Sequence, residues 1–281
     1  MRITDLRTNH QKEPLGIDGR PEFSWRMASK KNDVLQLSYR LRVKNGEQVI
    51  WDSGRIQSRK QSFLPYEGPA LSSRTRYEWE VDLETDKGES ASAVSRFETA
   101  FLSSSEWKGT WIESTIPRNQ NKLFTYGIEN PAVLFLRKLN LRFRPVRARL
   151  YATAYGVYKP ALNGKAPDDR EFAPEFTPYA KILNYQVYDV SALLSRGENV
   201  LTFLVADGWF FCEQTAIATN PSPAAPAVLY QLEAEYENGE RETWVSDGSE
   251  TCETGAIVFS DLFMGERRDD TLPEGNPSPS R

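Results

Sequence analysis

The sequence predicts an all-β protein built as two antiparallel β-sandwiches, the first fibronectin type III-like and the second jelly-roll-like. Three observations predict it. Short runs alternate apolar and polar residues with a period of two, as a strand with one buried face does. Turn signals such as Asn45-Gly46, Asp86–Gly88 and Asn238-Gly239 separate those runs. Long stretches of helical periodicity are almost absent, and an aromatic content of 12% suits cored domains rather than a disordered chain.

The first sandwich is expected over 1–102. In "LQLSYRLRV" Leu37, Tyr39, Leu41 and Val43 alternate with Ser38, Arg40 and Arg42. Asn45-Gly46 turns the chain into "VIWDSG". In "RYEWEVDLET" Tyr77, Trp79, Val81 and Leu83 alternate with Glu78, Glu80, Asp82 and Glu84. "DKG" turns again, and "SRFETAF" closes the unit. About seven strands in about a hundred residues is the rhythm of a fibronectin or immunoglobulin-like sandwich, and the lack of a Cys pair favours the fibronectin variety.

A serine-rich joint, "LSSSEWKGTW", places the boundary at 102/103. Beyond the polar stretch 112–131, strands resume at "PAVLFLRKLNL" and "RARLYATAYGVYKPALNG", where Leu150, Ala152 and Ala154 alternate with Tyr151 and Thr153. "LNG" (162–164) reads as a turn, Asp189 as the opening of a short helical turn, and Val200–Val205 as a buried strand. A hairpin follows across Asn238-Gly239. The second sandwich is therefore expected over 103–270, followed by a disordered tail at 271–281.

At 281 residues there is room for about two domains. The 35 basic and 39 acidic side chains leave a net charge of −4, with no dense Lys/Arg block, so no nucleic-acid partner is expected. No apolar run approaches the roughly 18–20 residues that cross a bilayer, so no membrane partner is expected. "MRITDLRTNH" lacks the apolar core of a signal peptide, which makes the cytoplasm the expected location. Cys212 and Cys252 read there as two buried or idle thiols, whereas an exported protein could pair them.

No catalytic residue is assigned. The single histidine, His10, lies outside any cleft pattern, and the nucleophile-elbow, phosphate-loop and zinc motifs are absent. Carboxylates are plentiful, but mostly on the wet faces of strands. Binding has better support. Sugar sites pair an aromatic plane with a few placed polar groups, and "ADGWFFCEQTAIATNPSPAAPA" (206–227) offers Asp207, Trp209, Phe210 and Phe211. Asn163 in its turn, and Asp261 and Glu266 in "SDLFMGE", are added as neighbours of that loop. The proline run is expected to hold the loop extended, with Trp209 as an apolar wall. Each residue also has an ordinary structural reading: Trp209 as a packing anchor, Asp207 and Asn163 as turn residues before glycine. No metal and no cofactor is expected. Calcium is the weaker alternative at this loop, since D-x-[DN]-x-[DN]-G is absent.

These residues carry a resemblance. The segment from "RLYATAYGVY" to "VADGWF" resembles the N-terminal region of bacterial α-L-rhamnosidases, glycoside hydrolase family 78. The matching positions are Ala154, Gly156, Tyr158 and Leu162-Asn163-Gly164; then Pro174, Thr177 and Tyr179; then Tyr188-Asp189-Val190, Gly197, Asn199 and Leu201; and finally Asp207-Gly208-Trp209, with Phe210 where the family usually has tyrosine. "FSDLFMGERRDD", "WDSGRIQS" and "YEGPALSSRTRYEWEV" are similar to further family segments in the same order. The resemblance covers about 1–270. It implies a non-catalytic accessory piece, because the family's catalytic machinery lies in a later helical barrel. It also implies a rhamnose-containing glycan as ligand and a catalytic domain, or a separate catalytic chain, as partner. Some members bind rhamnose with calcium on the second sandwich. The competing expectation is a docking scaffold with no sugar binding, which an exposed apolar patch would favour.

Overall fold

The computed structural model describes residues 1–118, 130–211, 225–262, 265–272 and 278–279. It divides into two compact units, Met1–Trp107 and Lys108–Arg281. Among the described residues no helix is long and apolar enough to cross a membrane.

The first unit has strands β1 (Arg2–Thr8), β2 (Glu22–Ala28), β3 (Gln36–Asn45), β4 (Gln48–Asp52), β5 (Ile56–Gln57), β6 (Leu64–Pro65), β7 (Arg76–Thr85) and β8 (Ser90–Glu98). They form a three-stranded sheet, β1-β2-β6, and a second sheet, β4-β3-β7-β8, with β5 also on β3. The alternating apolar positions of β7 all point into the core: Tyr77, Trp79, Val81 and Leu83 are buried. Phe23 of β2 packs on Trp79 with ring centroids 4.7 Å apart, which couples the two sheets. The strict alternation expected at the start of β3 fails. Leu37 is 49% exposed, whereas Ser38 is buried. The cause is a β-bulge: Gln36 pairs with Thr85 and Ser38 with Glu84, so Leu37 has no partner on β7 and the pleat slips by one. The serine joint folds as a 3₁₀ turn, Ser104–Glu106, capped reciprocally by Ser103 and Glu106.

The second unit has β9 (Ile112–Glu113), β10 (Val133–Leu141), β11 (Arg147–Tyr155), β12 (Val157–Leu162), β13 (Gln186–Asp189), β14 (Gly197–Ala206), the single helical turn α1 (Gly208–Phe211), β15 (Ala227–Glu235), β16 (Arg241–Val245), β17 (Thr251–Thr254), β18 (Ile257–Asp261), β19 (Gly265–Arg268) and β20 (Ser278–Pro279). One sheet runs β12-β14-β10-β17-β20 and the other β13-β11-β15-β16, with β9 on β15; β18 and β19 form a separate hairpin. The core lies between the two sheets, with Phe135, Leu201, Phe203 and Val205 from the first and Leu150, Ala152, Ala154 and Leu232 from the second. Phe203 and Tyr230 stack across it at 5.2 Å.

Several details differ from expectation. Between Val200 and Val205 only the alternate residues Leu201, Phe203 and Val205 are buried, because Val200, Thr202 and Leu204 lie on the outer face. In β11 both faces are covered, so Tyr151 and Thr153 are buried as well as the core alanines. Asp189 opens a turn rather than a helix: its Oδ1 accepts from the N–H and Oγ of Ser191 at 3.0 and 2.6 Å. Within the tail, Ser278–Pro279 pairs with Thr251 and Cys252, adding a short strand to the edge of β17; 273–277 and 280–281 lie outside the described residues.

Candidate functional site

The site grows from the end of the β12–β14 ladder. β14 runs antiparallel to β12, with Val157 opposite Ala206 and Leu162 opposite Leu201. Two glycines let the chain cross itself closely there. A Cβ on Gly156 would meet the Ala206 carbonyl oxygen at 2.3 Å, and one on Gly208 would meet Val157 Cβ at 2.7 Å. Both have positive φ, +116° and +54°. Gly156 and Gly208 are thus required by the approach of the two strand ends, each against the other's strand.

Past β14 the chain enters α1, where the Phe211 N–H donates to the Asp207 carbonyl at 3.2 Å. The Asp207 side chain is buried against Arg118. Nη2 donates to both carboxylate oxygens, at 2.6 and 2.7 Å. Each side chain is only 7% exposed. The Arg118 guanidinium also lies 4.9 Å from the centre of the Phe211 ring. Its Nη1 is buried without a hydrogen-bond partner.

Aromatic residues line both sides of α1. Phe210 is buried, 4.7 Å from Tyr155 and 5.0 Å from Tyr179. Tyr155 stacks in turn on Trp111 at 3.9 Å. Burial, and then Glu113, push the Tyr155 phenol above its ordinary value, so it stays protonated. Trp209 is half-buried, with its ring centre 5.7 Å from that of Phe172 and 6.2 Å from that of Phe176. α1 also packs beside β18. In that hairpin Asp261 is buried and Glu266 exposed.

The predicted residues therefore separate. Asp207, Trp209, Phe210 and Phe211 gather around α1, and the hairpin carrying Asp261 and Glu266 lies against it. Asn163 does not join them. It follows Leu162 at the far end of β12, about five strand steps of ~3.3 Å away. There its Nδ2 donates to Leu193 O and Asn199 Oδ1, and its Oδ1 accepts from Val200 N–H, each at 2.9 Å. Asn163 and Gly164 both have positive φ, 51° and 75°, as a type I′ turn needs. Asn163 fixes a turn there; it does not line the site. Asp207 and Phe210 are committed to internal partners, and the rest of the quoted loop, 212–224, lies outside the described residues.

Other motif residues are structural too. Tyr158 Oη lies 2.7 Å from both Ala152 O and Gln186 Oε1, and Tyr188 Oη lies 3.2 Å from it. This buried network ties β12 to β11 and β13 across the sandwich. Burial pushes the Tyr188 phenol up to about 12. Sequence reasoning missed Arg118, Phe172 and Phe176. Arg118 sits in a polar stretch with no periodicity, and nothing local reveals a partner 89 residues away. Among the described residues, no three His, Cys, Asp or Glu side chains stand together as metal ligands would.

Comparison with known proteins gives a consistent result. The model for the "Rha78A-like, N-terminal immunoglobulin domain" matches residues 3–103, and that for the "Alpha-L-rhamnosidase N-terminal domain" matches 144–278. An α-L-rhamnosidase of Formosa agariphila is 32% identical over 275 residues, which is 92% of this chain and 29% of that protein. One from Alteromonas sp. is 30% identical over 276 residues, with the same shares. The solved α-L-rhamnosidase from Dictyoglumus thermophilum is 26% identical with a TM-score of 0.84, covering 99% of this chain and 34% of that one. The chain spans about three-tenths of the length of the curated relatives it matches.

Proposed function

Because this chain carries the N-terminal immunoglobulin-like and N-terminal domains of the bacterial α-L-rhamnosidases, we propose that it is a non-catalytic accessory part of such an enzyme. It contacts a rhamnose-containing glycan while a catalytic domain, or a separate catalytic chain, cleaves it. One observation carries this reading. At the α1 end, the carboxylate at the strand end, Asp207, is neutralised by Arg118, while neighbouring aromatic rings remain open to solvent. Glycoside cleavage ordinarily needs two carboxyl groups free to act as acid and as nucleophile or base. An aromatic lip with few polar groups suits holding a sugar. The contact needs no cofactor in this reading, and calcium is tested beside it.

The purified chain is expected to show no turnover of an aryl α-L-rhamnoside. Turnover that survives repurification, and that one carboxylate substitution in this chain abolishes, overturns the reading. A docking scaffold without sugar binding is the second reading. Exposed Phe143 and Val146, beside the turn between β10 and β11, favour it. It stands alone if L-rhamnose at tens of millimolar, with and without calcium, leaves every amide shift unmoved.

A further inference from the structure

The segment joining β12 to β13 carries two rings that the core does not use. Phe172 is 55% exposed and Phe176 is 51% exposed. Their planes are tilted by 54° and 60° from that of Trp209, which is less exposed than either. Trp209 thus joins the two exposed rings in one surface cluster, an aromatic slot of three rings. Glu175 is exposed on the same turn, and Asn184 Nδ2 lies 3.4 Å from its Oε2.

The backbone at this slot is strained. Phe172 has φ 58° and Glu175 has φ 76°. Side-chain-bearing residues rarely adopt that region, and a bulky ring there is an outlier. Such strain persists only where surrounding contacts enforce it, and it concentrates at binding sites. The contacts are present. Glu175 N–H donates to Phe172 O at 2.8 Å, and Tyr158 N–H donates to Ala173 O at 2.8 Å. Tyr179 Oη donates to Glu175 O at 3.1 Å, and Thr177 Oγ1 to Ile182 O at 2.5 Å. Both of these residues carry exposed side chains.

We propose that Phe172, Phe176 and Trp209, with Glu175 and Asn184, form a binding site for a neutral pyranose. The rings take the apolar C–H face of the sugar. The Glu175 carboxylate accepts from one hydroxyl, and the Asn184 amide donates to its neighbour. An exposed carboxylate beside aromatic rings needs hydrogen-bond donors from whatever covers it, or burial is costly. Vicinal hydroxyls supply them. The same carboxylate repels an anionic sugar, so uronic acids are discriminated against. This inference rests on the carbohydrate-contact reading and moves the contact from the predicted residues to this slot.

Titration with L-rhamnose should move amide signals within 171–184 and at Trp209, with a dissociation constant on the order of 0.1–1 mM. D-galacturonate should not move them. Phe176→Ala should weaken binding about tenfold or more. Phe172→Gly suits the positive φ, so it should abolish binding while the melting temperature holds or rises. Glu175→Gln should weaken rhamnose binding and admit galacturonate. If rhamnose binds elsewhere and these variants bind as the parent does, the slot is wrong and the carbohydrate reading stands. If no signal moves at tens of millimolar sugar, both fall. If galacturonate binds the parent as well as rhamnose does, the role of Glu175 is wrong.

Discussion

Arg118 and Asp207 form a closed pair, with one guanidinium nitrogen donating to both carboxylate oxygens at 2.6 and 2.7 Å. The pair fixes the point where β14 gives way to α1, and it leaves Asp207 neither free for acid–base work nor open to a ligand. Removing Arg118 takes the guanidinium away from a buried carboxylate. Arg118→Ala should therefore destabilise the second unit by about 3–5 kcal/mol. Arg118→Met with Asp207→Leu should lose less than Arg118→Ala alone, since no buried charge remains. Chemical denaturation of the two variants checks the order.

Gly156 and Gly208 should be intolerant of a methyl group, for a reason their motifs do not state. The Cβ of Gly156→Ala would stand 2.3 Å from a backbone oxygen. That neighbour cannot yield without moving β14. The cost should reach roughly 3 kcal/mol or more, or prevent folding. Gly208→Ala meets Val157 at 2.7 Å and should cost somewhat less. Gly164 also has a positive φ, +75°, but a Cβ there would meet nothing within 4 Å. Gly164→Ala should cost only about 1–2 kcal/mol. Equal losses in melting temperature at Gly156 and Gly164 would refute the close-approach argument.

Acid should weaken the second unit through Asp189. Burial alone would raise its pKa, but hydrogen bonds from Ser191 Oγ and N–H, and the Arg149 guanidinium, outweigh burial and hold it below 3.8. A depressed folded pKa contributes stability that is fully present above the unfolded value and is lost as pH falls through the folded one. Melting temperature followed downward from about pH 5 should fall more steeply in the parent than in Asp189→Asn. Parallel curves would remove Asp189 from the account.

Cys252 should be inert in the folded protein. It is fully buried and unpaired, and burial pushes its thiol up to about 11. Thiolate is the reactive form, and almost none is present near neutrality. Iodoacetamide at pH 8 should leave the Cys252 peptide unmodified until denaturant is added. Native labelling at the unfolded rate would contradict the packing of β17. Cys212 lies outside the described residues.

Much of the fold was legible because strand periodicity is local. Tyr77, Trp79, Val81 and Leu83 announce their buried face in the order of residues alone, and Asn163-Gly164 announces its turn. The failures are equally physical. The bulge at Leu37 depends on how β3 meets β7, and no pattern within β3 reveals the residue that loses its partner. Asn163 and Asp207 both read as polar groups able to bond sugar hydroxyls. The β12–β14 register then carries them to opposite ends of one ladder.

By itself, the sequence determined the class of the protein: all-β, strands and turns in the order of the α-L-rhamnosidase N-terminal region, and an aromatic segment at Asp207–Phe211. Local alternation, turn chemistry and colinear motifs suffice for that, since each acts within a few residues. Only the tertiary structure decided which of those side chains face water. Arg118 crosses 89 positions to neutralise Asp207. Phe210 turns inward onto Tyr155 and Tyr179. Phe172 and Phe176, without a motif of their own, stay exposed beside Trp209. Exposure and pairing are properties of distant contacts, and a chain fixes those only when its sheets have closed.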